Sequence, residues 1–308
     1  TSYTLGYYDK AISFLKKMLH STLKGNEYLE FGIMTGVMRV AKEGIFSDLN
    51  NLVVCGPSSK FFVDKFGFTQ DEVSNILQAS CLQDREGVVT QWYNGYQFGW
   101  GKDTAKVYNP WSIINYVYND GRLSPYWMNT SSNSIIRRIM ERSSSKAKQS
   151  FDALLSGESI NEKIDEGIIF PDIEKDDLAI WSVLFYGGYL TFIEESGKAG
   201  DDRFLLKIPN EEVGLVLRKI VEQIFTNKFS NDTILGFFAA LTNGDVEQLE
   251  ELLQEFVESS MSYYDFNQNE PEKSYHLFVL GILVLLRDEY QVKSNRESGL
   301  GRYDIMII

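Results

Sequence analysis

The chain has 308 residues, with 30 Lys and Arg against 43 Asp and Glu, a formal net charge of −13. Hydrophobic residues make up 44% and charged residues 24%, which excludes a disordered chain. The acidic balance disfavours a large nonspecific nucleic-acid surface, because phosphate neutralisation needs clustered Lys and Arg, but leaves room for a small basic site on an acidic body.

A length of 308 residues corresponds to about two domains. Cys55, Cys81, His20 and His276 are the only cysteines and histidines, too few and too scattered for a Cys/His zinc site or a disulfide framework. A reducing, cytoplasmic compartment fits this usage. The most apolar run, Leu277 to Leu286, is roughly half of the ~20 residues that a membrane span needs and reads as a buried core helix, so no membrane role is expected. No signal-peptide pattern opens the chain, and its start at Thr1 without Met predicts that an N-terminal part is absent.

In chain order, "YYDKAISFLKKMLHSTLKGN" predicts an amphipathic helix with Ile12, Leu15, Leu19 and Leu23 on one face and Gly25 at its stop. "YLEFGIMTGV" predicts a strand covered on both faces, Tyr28 to Met34, in a small, mostly parallel sheet against which the Ile12, Leu15 and Leu19 face packs. Short helices and loops follow. Thr69 with Glu72 forms a capping box ahead of Val73, Ile76 and Leu77, and Asn109 with Pro110 opens another helix. The aromatic run "WYNGYQFGW" reads as core and turn structure rather than a base-stacking platform. "SSNSIIRRIMERSSSKAKQ" predicts a lid or exposed helical segment.

From Glu174 the pattern becomes helix, Gly-Gly break, strand, polar turn, second strand and helix, a winged-helix-like arrangement. Residues 189–193 and 203–207 should pair as an antiparallel wing, with Gly197 and Gly200 in its turn. Asp245 and Gln248 form a capping box before the apolar face of Val246, Leu249, Leu252, Leu253 and Phe256. Two last strands are expected near Glu289 to Lys293 and Arg302 to Ile308. The Asn243-Gly244 break is the best domain boundary, with a weaker one near Gly157.

No GxxxxGK[ST] loop, GxGxxG, GxSxG or HExxH motif occurs, so no conventional nucleotide site is complete. Thr35 and Arg39 follow the predicted first strand, where ligands of open α/β sheets bind. Taken alone, they also read as turn residues satisfying local carbonyls.

"FGIMTGVMRVAKEGIFSDLNNL", "WYNGYQFG", "VYNPWSIINYV", "LFYGGYLTF" and "LKIPNEEV" resemble, in this order, the AAA-ATPase-like family whose members carry a C-terminal PD-(D/E)XK nuclease-like domain. "YHLFVLGILVLL" followed by "SNRESGLGRYDIMI" resembles the start of that second domain. The fold class this implies is α/β and α+β, multidomain. Residues 1–56 would be the distal part of a P-loop/AAA-type parallel sheet, 57–157 a helical lid-like region and 158–242 a winged-helix-like region. Residues 243–308 would be the first half of a PD-(D/E)XK nuclease-like fold.

The resemblance implies ATP and Mg²⁺ as cofactors of the intact protein, with ATP hydrolysis and metal-dependent nucleic-acid cleavage as activities. It gives Thr35 the place of a polar sensor facing the γ-phosphate, and Arg39 a charge-stabilising role. Asp304 matches the first metal-ligating carboxylate of the nuclease core, and Glu272 resembles an accessory acidic position. Asp304 should lie on the second strand of a hairpin, with Ser298 to Gly301 at its turn. The phosphate loop would precede Thr1 and the Glu-x-Lys strand would follow Ile308, so this chain alone is not expected to hold ATP or metal or to catalyse. Without the resemblance, Asp304 reads as a strand carboxylate paired with Arg302 or Arg296, and Glu272 as ordinary first-turn helix chemistry. The alternative function is a non-catalytic binding or regulatory module whose winged-helix-like region contacts protein or nucleic acid. Homo-oligomerisation stays open.

Overall fold

A computed structural model describes residues 6–24, 26–36, 53–127, 136–137, 140, 144–165, 177–195, 202–226, 231–260, 292–298 and 301–307. The protein is mixed α/β with small sheets, and its chain separates into two compact units, each assembled from three stretches. No helix among the described residues is long and apolar enough to cross a membrane.

The sheet unit comprises Thr1–Val73, Gly95–Tyr108 and Asn161–Leu206. It opens with α1, Tyr8–Leu23, as the periodicity predicts. The packing differs from expectation: no α1 residue is buried, and Phe14, Leu15 and Met18 are exposed. Tyr28 to Met34 is a turn and irregular chain rather than a strand, and Tyr28, Phe31, Ile33 and Met34 are exposed. Its start is taken by an Asx turn, in which the Tyr28 N–H donates to Asn26 Oδ1 at 3.1 Å and the Leu29 N–H to the Asn26 carbonyl at 3.1 Å. A lone apolar run gains no ladder bonds, and among the described residues no strand pairs with it.

The helix α2, Gln70–Ala79, starts at the predicted box: the Glu72 carboxylate accepts from the Thr69 N–H at 2.8 Å and its hydroxyl at 2.9 Å. A 3₁₀ turn, Gln83–Arg85, leads into α3, Glu86–Tyr93. The aromatic run then forms β1, Tyr96–Trp100, antiparallel to β2, Asp103–Val107. Gly99 allows this tight hairpin, since at φ +81° a Cβ would meet the Asp103 carbonyl.

The core of the sheet unit is α6, Asp177–Tyr186, in which every residue from Ala179 to Phe185 is buried. A helix apolar all round has no solvent face and must be enclosed. It stops at Gly187-Gly188, as the sequence predicts: Gly188 has φ +79° and the Tyr189 N–H closes on the Leu184 carbonyl at 2.8 Å. Around it lie β3, Ile160–Lys163, β4, Thr191–Glu195, and β5, Arg203–Lys207, in the order β3-β5-β4. Seven residues link β4 to β5, too few for a parallel crossover, so the predicted pair is a hairpin. Its turn, with Gly197 and Gly200, lies outside the described residues. Phe185, Phe192 and Phe204 form a three-ring cluster with centroids 5.7 to 6.0 Å apart.

The helical unit comprises Ser74–Asn94, Asn109–Ile160 and Lys207–Ile308. Its helices are the remainder of α2, α3, α4 at Pro110–Tyr118, α5 at Ser145–Leu155, α7 at Glu211–Thr226, α8 at Asn231–Asn243 and α9 at Val246–Ser260. Asn109 caps α4 by accepting from the Trp111 N–H at 3.0 Å. The α7 face Val213, Val216, Leu217, Ile220 and Val221 is buried at helical spacing and packs against α3 and α5. Asp245 caps α9 through the Gln248 N–H at 3.1 Å, and α9 packs on α8 with Val246 left exposed.

The final hairpin pairs β6, Val292–Ser298, with β7, Gly301–Ile307, antiparallel. The expected start of the first strand, at Glu289, lies outside the described residues. The register sets Ser298 opposite Gly301, the turn position expected from the sequence.

Candidate functional site

Of the four residues singled out in the sequence, Thr35 and Asp304 fall among the described residues. Thr35 is exposed in irregular chain, so it does not end a core strand. Arg39 and Glu272 lie outside the described residues. Asp304 is in the middle of β7, between Tyr303, which faces Arg296, and Ile305, which faces Ser294.

Among the described residues, a buried polar cluster around Glu212 is one that sequence reading missed. Glu212, on the first turn of α7, has no exposed surface. Its Oε2 accepts from the Ser112 hydroxyl of α4 at 2.7 Å, and its Oε1 from the Trp127 N–H at 2.9 Å. The helix N-terminus adds a favourable field for the carboxylate. Asn210 caps the same helix by accepting from the Val213 N–H at 3.1 Å. Burial dominates nonetheless and pushes the Glu212 carboxyl above its usual range, while the Trp127 N–H, the Ser112 hydroxyl and the Tyr126 N–H oppose the shift.

Tyrosines line the same knot. Tyr93 lies 5.9 Å from Tyr116 and 6.4 Å from Tyr126, centroid to centroid. Its hydroxyl donates to the Ser124 carbonyl at 3.0 Å and accepts from the Ser124 N–H at 3.1 Å. Burial raises the Tyr93 phenol well above its usual range. The segment after α4 is thereby fixed at both ends, by Tyr93 at Ser124 and by Glu212 at Trp127.

A hydroxyl on a carboxylate is the elementary arrangement of a nucleophile and its base. Ser112 and Glu212 are both 0% exposed, however, so no substrate reaches either. Their chemistry is structural, joining α4, the 124–127 segment and α7. Sequence signals for the knot were thin. "PNEEV" marks a helix start, but the Ser112 partner is 100 residues away.

Among the described residues no three His, Cys, Asp or Glu side chains come together as metal ligands. They therefore do not fit a Mg²⁺ site by themselves, since that ion needs several convergent oxygens.

No family model matches the chain, and no solved structure matches it. A curated relative, an uncharacterised protein in the vnfD 5′ region of Azotobacter chroococcum mcd 1, is 24% identical over 292 residues, 88% of this chain and 51% of that protein. The chain thus spans about half the length of the curated relative it matches.

Proposed function

We propose that the chain is part of a two-part protein, an AAA-type ATPase joined to a PD-(D/E)XK nuclease-like domain, with Asp304 as the first metal-ligating carboxylate of the nuclease half. The observation that carries this reading is the register of the last hairpin, which sets Asp304 in mid-strand with the turn at Ser298 to Gly301. The fixed order of the sequence motifs supports it. The ATPase half rests on that order alone, because Tyr28 to Met34 lacks the strand on which Thr35 would sit.

The second reading is a non-catalytic binding or regulatory module. It is favoured by the exposure of Tyr28, Phe31 and Ile33 and by the formation of the β4–β5 pair.

Cleavage of plasmid DNA and of an RNA transcript in Mg²⁺ distinguishes the two, with the flanking coding sequence included in the expressed protein. The first reading expects metal-dependent cleavage that Asp304→Ala abolishes without changing the melting temperature. Undiminished cleavage by Asp304→Ala contradicts it, and absence of both cleavage and ATP binding favours the second.

A further inference from the structure

The loop of residues 57–68 is fastened to the β1–β2 hairpin within the sheet unit. The Gly99 N–H donates to the Pro57 carbonyl at 2.8 Å. Val63 lies against Gly99, Gly67 lies against Val107, and Phe68 bridges Tyr108 in antiparallel fashion. On this frame Phe61 (54%), Phe62 (59%), Phe66 (55%) and Trp100 (56%) are all more than half exposed. Single exposed apolar side chains need no explanation; four large aromatics on one loop and one hairpin tip do.

Phe62 adds a second observation. Its φ is +61°, in the left-handed region that a bulky side chain enters only at a cost. Being exposed, it gains little burial in return.

The charges nearby have a sign opposite to that of the chain. Segments 57–68 and 96–107 hold Lys60, Lys65, Lys102 and Lys106 against Asp64 and Asp103, within a molecule of net charge −13. The Lys60 ammonium lies 5.2 Å from the Phe61 ring centroid, and Lys65 pairs with Asp64 at 2.9 Å. Asp71 and Glu72 follow on α2, with Glu72 engaged by the Thr69 cap.

We infer that this loop-and-hairpin surface binds single-stranded nucleic acid, with unpaired bases stacking on Phe62 and Trp100 and phosphates meeting Lys60 and Lys102. Rings reach base faces only where bases are unpaired, and stacking is tolerant of sequence. A duplex would offer phosphates alone, for which this lysine count is low. An apolar protein partner would cover the rings but leave the lysines without counter-charge. The inference does not rest on the metal-site reading of Asp304.

The test is fluorescence anisotropy of a labelled oligothymidylate, and of a duplex of equal length, titrated with the full chain across a salt series. The single strand should bind and the duplex should bind at least about tenfold more weakly. The logarithm of the affinity should fall with log salt at a slope of about −1.4, as two contacted phosphates require. Phe62→Ala and Trp100→Ala should each weaken binding about tenfold, and Trp100→Phe should restore most of it. Melting temperatures should show the variants folded; Phe62→Ala, at an exposed site, decides the matter if Trp100→Ala does not fold. No binding at about 100 µM, equal binding of the duplex, or unchanged binding by Phe62→Ala would overturn the inference. So would capture of a labelled poly-glutamate peptide in place of the oligonucleotide, which would make the surface a protein-docking one.

Discussion

Glu212 in the helical unit is a carboxylate with no exposed surface, and Phe62 in the sheet unit is an aromatic residue that is 59% exposed. The buried carboxylate inverts the usual placement of its residue type; the exposed ring is unusual for its left-handed backbone, φ +61°. Glu212 has donors on both oxygens, Ser112 at 2.7 Å and Trp127 at 2.9 Å, so the cost of burying it is offset in part and its role is to join segments. Phe62 carries backbone strain at φ +61° in a turn that its carbonyl closes by accepting from the Lys65 N–H at 3.1 Å, but more than half of the side chain stays exposed, so the turn alone does not call for an aromatic ring. Satisfaction of a buried polar group marks scaffold; uncompensated strain at an exposed group points outward, to a ligand.

The strongest way to break the comparison is to remove the Glu212 carboxylate. Glu212→Ala strands the Ser112 hydroxyl and the Trp127 N–H inside the helical unit, and should cost about 3 kcal/mol in urea unfolding. A loss under about 1 kcal/mol would mean the knot is dispensable. Next in size is Gly99→Ala, where the new Cβ meets the Asp103 carbonyl at φ +81°; a loss of about 2 kcal/mol is expected, together with loss of oligothymidylate binding, because Trp100 and the 57–68 loop share this hairpin.

A pH series sharpens the Glu212 half. Its carboxyl is raised in the fold, chiefly by burial, so folding favours the protonated form. The stabilisation this confers is fully present below the ordinary glutamate value of 4.5 and is lost as pH rises through the raised folded value. Glu212→Gln keeps an acceptor for Trp127 and donates to Ser112, and it does not ionise. The stability of wild type relative to Glu212→Gln should therefore decline from pH 4.5 upward. A flat difference between the two proteins would show that the knot does not sense charge.

Sequence reading did best where the physics is local. The Thr69–Glu72 box and the Asn109-Pro110 cap form as predicted, because a cap is decided within three or four residues; of the Asp245–Gln248 box only the Asp245 cap forms, since the Asp245 N–H donates to the Ala240 carbonyl at 2.9 Å. The Gly187-Gly188 stop and the turn after Ser298 follow from the same short-range rules. Tyr28 to Met34 failed for the opposite reason. A strand exists only with a neighbour, which an apolar run cannot specify, and the Asn26 turn competes for its first amides. Glu212 was illegible because its partners lie 100 and 85 residues away. The "WYNGYQFGW" run was half legible: Tyr93 is buried core, while Trp100 at the other end of the run is exposed.

The smallest expected change in stability is also the most direct test of what Phe62 is for. Phe62→Gly relieves the left-handed backbone without emptying a buried site, so urea unfolding should show a gain of up to about 1 kcal/mol, while oligothymidylate affinity falls about tenfold. A variant that loses stability, or that keeps full affinity, would contradict the assignment of Phe62 to binding rather than to the fold.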